Sequence, residues 1–82
     1  MKTTIVGRKC TPKESFKNHA EKKLGKIDKF FGGDGTAKIT ASVNKNNTTT
    51  VELTVQNNGL FFRSQATDPD MTAALDKCVD NL

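Results

Sequence analysis

The chain has 82 residues, of which 34% are hydrophobic and 27% are charged, and its formal net charge is +4. This length and composition fit one small globular domain over residues 1–82 and exclude a disordered chain. No apolar run approaches the roughly 18 residues that cross a bilayer, and the N-terminus lacks a signal-peptide core, so we predict a cytoplasmic protein with no membrane partner.

The first predicted elements are a strand at Lys2–Arg8 and a long amphipathic helix over residues 11–31. The strand is rich in β-branched residues, and Ile5 is expected to face the core. The helix is predicted because apolar residues recur three or four positions apart, as they do on one helical face. That face consists of Phe16, Ala20, Leu24, Ile27 and Phe31.

This helix has sequence signals at both of its ends. Thr11 and Glu14 have the spacing of a capping box, in which each side chain bonds an otherwise unpaired backbone N–H. Pro12 would stand at the first helical position, where its missing N–H costs nothing. Gly32 and Gly33 supply the left-handed residue that ends many helices. We therefore expect a cap at Thr11 and an end before the glycine pair.

Charges on this helix are sorted between two flanks. With successive residues about 100° apart, Glu21 and Asp28 lie on one flank, with Lys17 beside them. The other flank carries His19, Lys22, Lys23, Lys26 and Lys29. Residues 1–31 hold nine Lys or Arg and three acids, whereas residues 32–82 hold four and six. This sorting favours a polyanionic partner, although lysines also form ordinary solvated helix faces.

Three segments of alternating polar and apolar residues predict strands at 37–44, 49–56 and 60–67. A turn at 45–47 joins the first two. An Asn-Asn-Gly turn at 57–59 joins the last two, because Asn-Gly accepts the positive φ of a tight hairpin. On the last strand the predicted inner face consists of Leu60, Phe62, Ser64 and Ala66.

A second amphipathic helix is predicted at the end of the chain. Asp68 is expected to cap it, with Pro69 at the first position and Asp70 favoured by the helix dipole. Its apolar face consists of Met71, Ala74, Leu75, Cys78, Val79 and Leu82. The acids further along this helix are expected to be solvated. Because the pattern still runs at Leu82 without a C-cap glycine, we expect the natural chain to continue.

These elements predict an α+β two-layer sandwich of order β-α-β-β-β-α, with a four-stranded sheet and two helices on one face. The polar face of the sheet is expected to meet water. Phe61 is its only aromatic residue, so base stacking on the sheet fits poorly. Phosphate contact from the helical face fits better, since such contacts position a protein on RNA without reading sequence.

Residues suited to catalysis or metal binding are sparse. His19 is the only histidine, and the chain has no Tyr or Trp, so general acid–base options are few. Cys10 and Cys78 lack the spacing of a metal or redox motif, and we expect reduced thiols. The glycines within 32–35 follow a helix rather than a strand, as a connector does and a phosphate loop does not. We predict no enzyme, no metal, no cofactor and no small-molecule substrate.

Four motifs, taken together and in order, resemble the ribosome hibernation-promoting factor / ribosome-associated protein Y family, also called the sigma-54 modulation protein / S30AE family. They are IVGR at 5–8, HAEKKLGKIDKFF at 19–31, NNG at 57–59 and DMTAALD at 70–76. The resemblance implies a domain related to double-stranded RNA-binding folds. It also implies binding to the small ribosomal subunit between head and body, where the domain blocks mRNA and tRNA sites and silences idle ribosomes under stress.

The resemblance further implies which residues contact rRNA. By position they are Arg8, Lys22, Lys23, Lys26, Lys29 and, on the second helix, Lys77. The chain departs from the family at Thr72, where an aromatic residue is usual, and at Asn81, where a lysine is common. Dimerisation in the long form of the family uses a C-terminal domain that residues 1–82 do not supply. The alternative function is a protein–protein interaction module without RNA binding.

Overall fold

The computed structural model describes residues 2–31, 35–57 and 59–81, and within these ranges the chain forms four strands and two helices. In chain order they are β1 (Lys2–Arg8), α1 (Glu14–Phe31), β2 (Thr36–Val43), β3 (Thr49–Asn57), β4 (Leu60–Asp68) and α2 (Met71–Asp80). The predicted order β-α-β-β-β-α is confirmed.

The four strands lie side by side in chain order, β1-β2-β3-β4. β1 and β2 are parallel, so α1 forms the crossover between them, whereas β2, β3 and β4 are antiparallel neighbours. Side chains alternate along each strand, so the sheet has one apolar face and one polar face. The apolar face requires cover, and α1 and α2 both pack on it.

The core lies between the apolar face of the sheet and the two helices. Its largest fully buried side chains are Leu24, Ile39, Leu53, Leu75, Val51, Val55 and Cys78. Ile5 of β1 packs against this core, as predicted. Phe16, Ala20 and Leu24 are buried on α1, and Ile27 packs beside them, which confirms these positions of the predicted apolar face.

The start of α1 differs from the prediction. The helix begins at Glu14, and the N–H of Lys17 donates to the carbonyl of Lys13 at 3.1 Å, so the predicted cap at Thr11 is wrong. Pro12 instead lies in the connection that follows β1. That connection passes close to Gly7, where an added Cβ would be 2.3 Å from the Cys10 oxygen and 2.6 Å from Pro12 Cδ. The helix therefore starts only after the chain has left this contact.

The start of α2 also differs by two residues. Asp70 is the N-cap, and its Oδ1 accepts from the N–H of Thr72 at 3.2 Å. Asp68 was predicted as the cap, but it is the last residue of β4 and pairs with Thr49 of β3. Its Oδ1 accepts from the N–H of Asp70 at 2.9 Å, which turns the chain from strand to helix.

The inner face of β4 is covered along only part of its length. Ser64 is buried and Ala66 half-buried, as predicted, but Leu60 and Phe62 are 54% and 38% exposed. The reason is a mismatch of lengths. A ten-residue helix spans about 15 Å, whereas a nine-residue strand spans roughly 30 Å, so α2 covers the end of β4 nearest to it.

Both predicted hairpin turns are borne out where the structure describes them. Asn47 has φ +63° in the turn after β2, and Gly59 has φ +84° between β3 and β4. Both values lie in the left-handed region that Asn and Gly tolerate. Other predictions lie outside the described residues and side chains: those for Asn58, Leu82, the glycine pair at 32–33 and the side chain of Phe31.

Candidate nucleic-acid interface

Four of the six residues predicted to contact rRNA lie together on α1. Lys22, Lys26 and Lys29 are exposed, and Lys23 is half-buried. From the first to the last of them the helix rises about 10 Å, at 1.5 Å per residue. We call Lys22, Lys23, Lys26 and Lys29 the basic flank of α1.

The two flanks of α1 face different neighbours. Glu21 and Asp28 lie on the β1 side, where they line a shallow depression together with Thr3. The basic flank lies on the α2 side, where Lys23 and His19 reach an acid of α2. The fold therefore keeps Glu21 and Asp28 away from the basic flank.

Asp76 is the acid that links the two helices. Its Oδ1 lies 2.7 Å from His19 Nε2 and 3.7 Å from Lys23 Nζ. The hydrogen bond from His19 is the main cause that lowers the pKa of the Asp76 carboxyl, against a desolvation effect that raises it. The acids of α2 were predicted to be solvated or capping; the Asp76 side chain is 39% exposed but also contacts α1, which the sequence did not predict. Its partner His19 is 57 positions away, so no local pattern indicates the contact.

Asp76→Asn is expected to lower the free energy of unfolding at neutral pH by less than about 1 kcal/mol, because the side chain is 39% exposed and solvent screens the pair. The folded-state pKa of Asp76 is below its ordinary value of 3.8, so this stability is present above that pH and is lost as the pH falls further. Urea unfolding at neutral pH and near pH 3 should therefore show that the difference in the free energy of unfolding between variant and wild type becomes smaller in acid. Asp80→Asn, exposed on the same helix, serves as the control. A difference in the free energy of unfolding that stays constant into acid would contradict a stabilising contact between Asp76 and α1.

Lys77 does not join the basic flank. Its Nζ lies 2.7 Å from Asp68 Oδ2, at the end of β4. Asp76 faces α1, and the next residue along a helix is turned by about 100°, so Lys77 lies on the β4 side of α2. This contact is the first cause that lowers the pKa of Asp68, followed by the N–H of Asp70. The predicted contact residue on α2 is thus already paired with a carboxylate.

Arg8 lies on the opposite face of the molecule from the basic flank. It is exposed on the outer, polar face of the sheet, where it lines an open trough together with Lys38 of β2 and Arg63 of β4. The six predicted residues therefore do not form one surface. Four are together on α1, Lys77 is turned towards β4, and Arg8 belongs to the sheet.

Lys38 and Arg63 were missed by the sequence reasoning, which treated the outer sheet face as solvated. They are 25 positions apart in the chain, yet both are register partners of Thr54. The sequence signal that could have identified them is the short length of the two hairpin turns. The short turns on either side of β3 fix which residues pair, and Lys38 and Arg63 are both at polar positions of their alternating strands.

The two thiols pack in the structure rather than forming a reactive site. Cys78 is buried, its Sγ donates to the Val51 carbonyl at 3.0 Å, and burial raises the pKa of the thiol. Cys10 Sγ donates to the Ala41 carbonyl at 3.5 Å. Over the described ranges no group of three or more His, Cys, Asp or Glu side chains is placed to hold a metal ion. Neither helix, as far as it is described, is long and apolar enough to span a membrane.

Comparison with known proteins identifies relatives over nearly the whole chain. The family model described as sigma 54 modulation protein / S30EA ribosomal protein matches residues 3–82. A ribosome hibernation promoting factor from Acidithiobacillus ferridurans is 27% identical over 78 residues, which is 93% of this chain and 100% of that protein.

Solved structures share the fold. The N-terminal domain of Protein Y from Thermus thermophilus matches with a TM-score of 0.88 and 28% identity, over 99% of this chain and 90% of that one. A ribosomal subunit interface protein from Coxiella burnetii matches with a TM-score of 0.88 and 21% identity, over 99% and 88%. At that lower identity the second likeness supports the fold alone. The two matches confirm the predicted α+β sandwich.

Proposed function

Because the chain belongs to the sigma 54 modulation protein / S30EA ribosomal protein family, we propose that it binds the ribosome and promotes ribosome hibernation. This membership confirms the resemblance drawn from the sequence motifs. The proposed site is the small ribosomal subunit near the decoding region, in the cytoplasm. There the bound domain blocks the mRNA and tRNA sites and inhibits translation under stress, without catalysing a reaction.

The observation that carries this proposal is the basic flank of α1. Lys22, Lys26 and Lys29 are exposed and form no ion pair with any residue that the structure describes. Glu21 and Asp28 of the same helix lie on its other side, by β1. Lysines kept only for solubility would more often be interleaved with acids at i,i+4. A row of free ammonium groups on a rigid helix suits the phosphates of folded RNA.

Inhibition by this surface requires no chemical step. Each ammonium that meets a phosphate releases counterions, which makes the affinity depend on salt concentration. Phosphate contacts fix the position of a protein on RNA but read no sequence, so specificity must come from the shape of the binding site. A folded domain that fills such a site excludes other occupants by its volume.

Co-sedimentation with isolated small ribosomal subunits at two salt concentrations tests the proposal. We expect saturable binding that weakens steeply with salt, together with inhibition of a cell-free translation reaction over the same protein concentrations. An absence of binding at low salt would refute the assignment to the small subunit.

Single substitutions in the basic flank provide a finer measurement. Lys22→Ala and Lys26→Ala should each weaken ribosome binding modestly and reduce the slope of log affinity against log salt by about one. Lys17→Ala is the matched control, because it removes the same charge from the same helix on the acidic flank. If both flank variants keep the wild-type affinity and slope, these lysines only keep the protein soluble.

A protein-docking function has one observation in its favour. Leu60 and Phe62, on the inner face at the start of β4, are 54% and 38% exposed. Neighbouring exposed apolar side chains are typical of protein contacts. A docking module would bind a protein with little salt dependence and would not bind rRNA, so the salt series separates the two functions.

A further inference from the structure

On the outer face of the sheet, opposite the helices, the strand register places paired residues side by side in rows across the strands. One row consists of Thr4, Lys38, Thr54 and Arg63. A second row begins with Arg8, which pairs with Ser42 of β2. Side chains that are paired in this way lie on the same face of the sheet. The register therefore collects cations from three strands on one surface.

This surface carries an excess of positive charge. Its described cations are Lys2, Arg8, Lys38 and Arg63. The acid among them is Glu52, whose Oε2 lies 2.8 Å from Arg63 Nη2, so those two charges offset each other. Arg8 and Lys38 form no ion pair with any residue that the structure describes. Their charges are available to a ligand.

The same surface is concave and rich in hydrogen-bonding groups. Arg8, Lys38 and Arg63 line an open trough of about 580 Å³. The rest of its lining is Glu52, the partner of Arg63, together with hydroxyl and amide side chains: Thr40, Ser42, Asn44, Thr50, Thr54 and Gln65. Guanidinium, ammonium and hydroxyl groups all donate hydrogen bonds to phosphate oxygens, and hydroxyls also bond the 2′-hydroxyl of RNA. The lining has the composition of a surface that contacts an RNA backbone.

We propose that the outer sheet face is a second RNA-binding surface, which holds the phosphodiester backbone of an rRNA segment other than the one met by the basic flank of α1. This inference rests on the proposed ribosome binding and extends it. The contact is to phosphates and riboses rather than to stacked bases, because Phe61 is the one aromatic residue on this face within the described strands.

Two opposed cationic surfaces fit a site with RNA on both sides. The helices cover one face of the sheet and the trough opens on the other, so the two surfaces point in opposite directions. The molecule measures 38 × 21 × 18 Å, and its body lies between them. A cleft that encloses the domain would bring phosphates close to both faces. An acidic sheet face would then repel these phosphates, and a neutral one would leave their charge unpaired, whereas the cations of this face neutralise it.

The test compares two double variants and a control, each of which loses two positive charges. Arg8→Ala/Lys38→Ala removes the unpaired cations of the trough, Lys22→Ala/Lys26→Ala alters the basic flank, and Lys13→Ala/Lys17→Ala alters neither. The affinity for small subunits is measured over a salt series. A photo-crosslinking amino acid, benzoylphenylalanine, is placed separately at Thr54, between the trough cations, to identify what lies against the sheet.

We expect Arg8→Ala/Lys38→Ala to bind roughly tenfold more weakly at about 0.1 M salt, with the salt slope lowered by about two, and the control to match the wild type. The crosslinker at Thr54 should attach to rRNA. Arg8 and Lys38 are exposed, so the variant should keep the wild-type melting temperature, which separates a binding effect from unfolding.

Three results would overturn the inference. If Arg8→Ala/Lys38→Ala matches the control while Lys22→Ala/Lys26→Ala binds weakly, the sheet face is merely solvated and the proposed function stands. If the Thr54 crosslinks reach only ribosomal proteins, the face is a protein contact. If the wild type itself shows no salt-dependent binding, the proposed function fails, and the second surface fails with it.

Discussion

A variant with Lys22, Lys26 and Lys29 all replaced by glutamine is expected to bind small ribosomal subunits about a hundredfold more weakly than the wild type. Each exposed ammonium that meets a phosphate contributes roughly 1 kcal/mol, and 1.4 kcal/mol corresponds to a factor of ten in affinity. The slope of log affinity against log salt should become shallower by about three. Lys23 is left unchanged because its contact with Asp76 helps to join the two helices.

The control for this variant replaces Lys13, Lys17 and Lys45 with glutamine. It loses the same charge, but from the start of α1, its acidic flank and the turn after β2. Binding within about twofold of the wild type would show that position rather than net charge determines affinity. Equal losses of affinity in the two triple variants would contradict this. They would mean that the basic flank contributes only through the net charge of the protein.

The basic flank was predictable from sequence because helical periodicity is a local property. Residues three or four positions apart share a face whatever the rest of the chain does, so Phe16, Ala20 and Leu24 identify the buried side and thereby the side that carries the lysines. The strands were predictable for a similar reason, since alternation along β2 and β3 indicates both their existence and their inner faces.

The remainder of the candidate site depends on contacts between distant parts of the chain. Arg8 was predicted to contact rRNA together with the lysines of α1. It lies apart from them, because β1 places it on the outer face of the sheet. Lys77 was expected to contact RNA, but Asp68 at the end of β4 pairs with it. Asp76 pairs with His19 on the other helix, 57 positions away in the chain. In each case tertiary packing determines the position and the partner of the charged side chain, and sequence periodicity does not encode that packing.

Capping positions failed for a related reason. Thr11 and Asp68 both have the residue type and spacing of an N-cap, yet each helix begins a few residues later. At α1 the connection is held against β1, and at α2 the strand pairing continues through Asp68. A local capping preference is worth about 1 kcal/mol, which packing and strand pairing together outweigh.

Gly7→Ala should lower the free energy of unfolding by about 2–3 kcal/mol, a large fraction of the total for a domain of this size. The new Cβ would lie 2.3 Å from the Cys10 oxygen and 2.6 Å from Pro12 Cδ, so the connection between β1 and α1 must move. Because about 1 kcal/mol corresponds to 4–8 °C for a small domain, thermal unfolding should occur about 10–20 °C lower.

Gly25→Ala is the matched control, since it adds the same methyl group to the exposed side of α1. Apart from its chain neighbours and the adjacent backbone of α1, no described heavy atom lies within 4 Å of its Cβ position. Alanine favours a helix over glycine by about 1 kcal/mol, so this variant should melt at or above the wild-type temperature. A Gly7→Ala protein with unchanged melting would mean that the connection rearranges freely. If it is destabilised as expected, the connection between β1 and α1 is held too close to Gly7 to accommodate a side chain there.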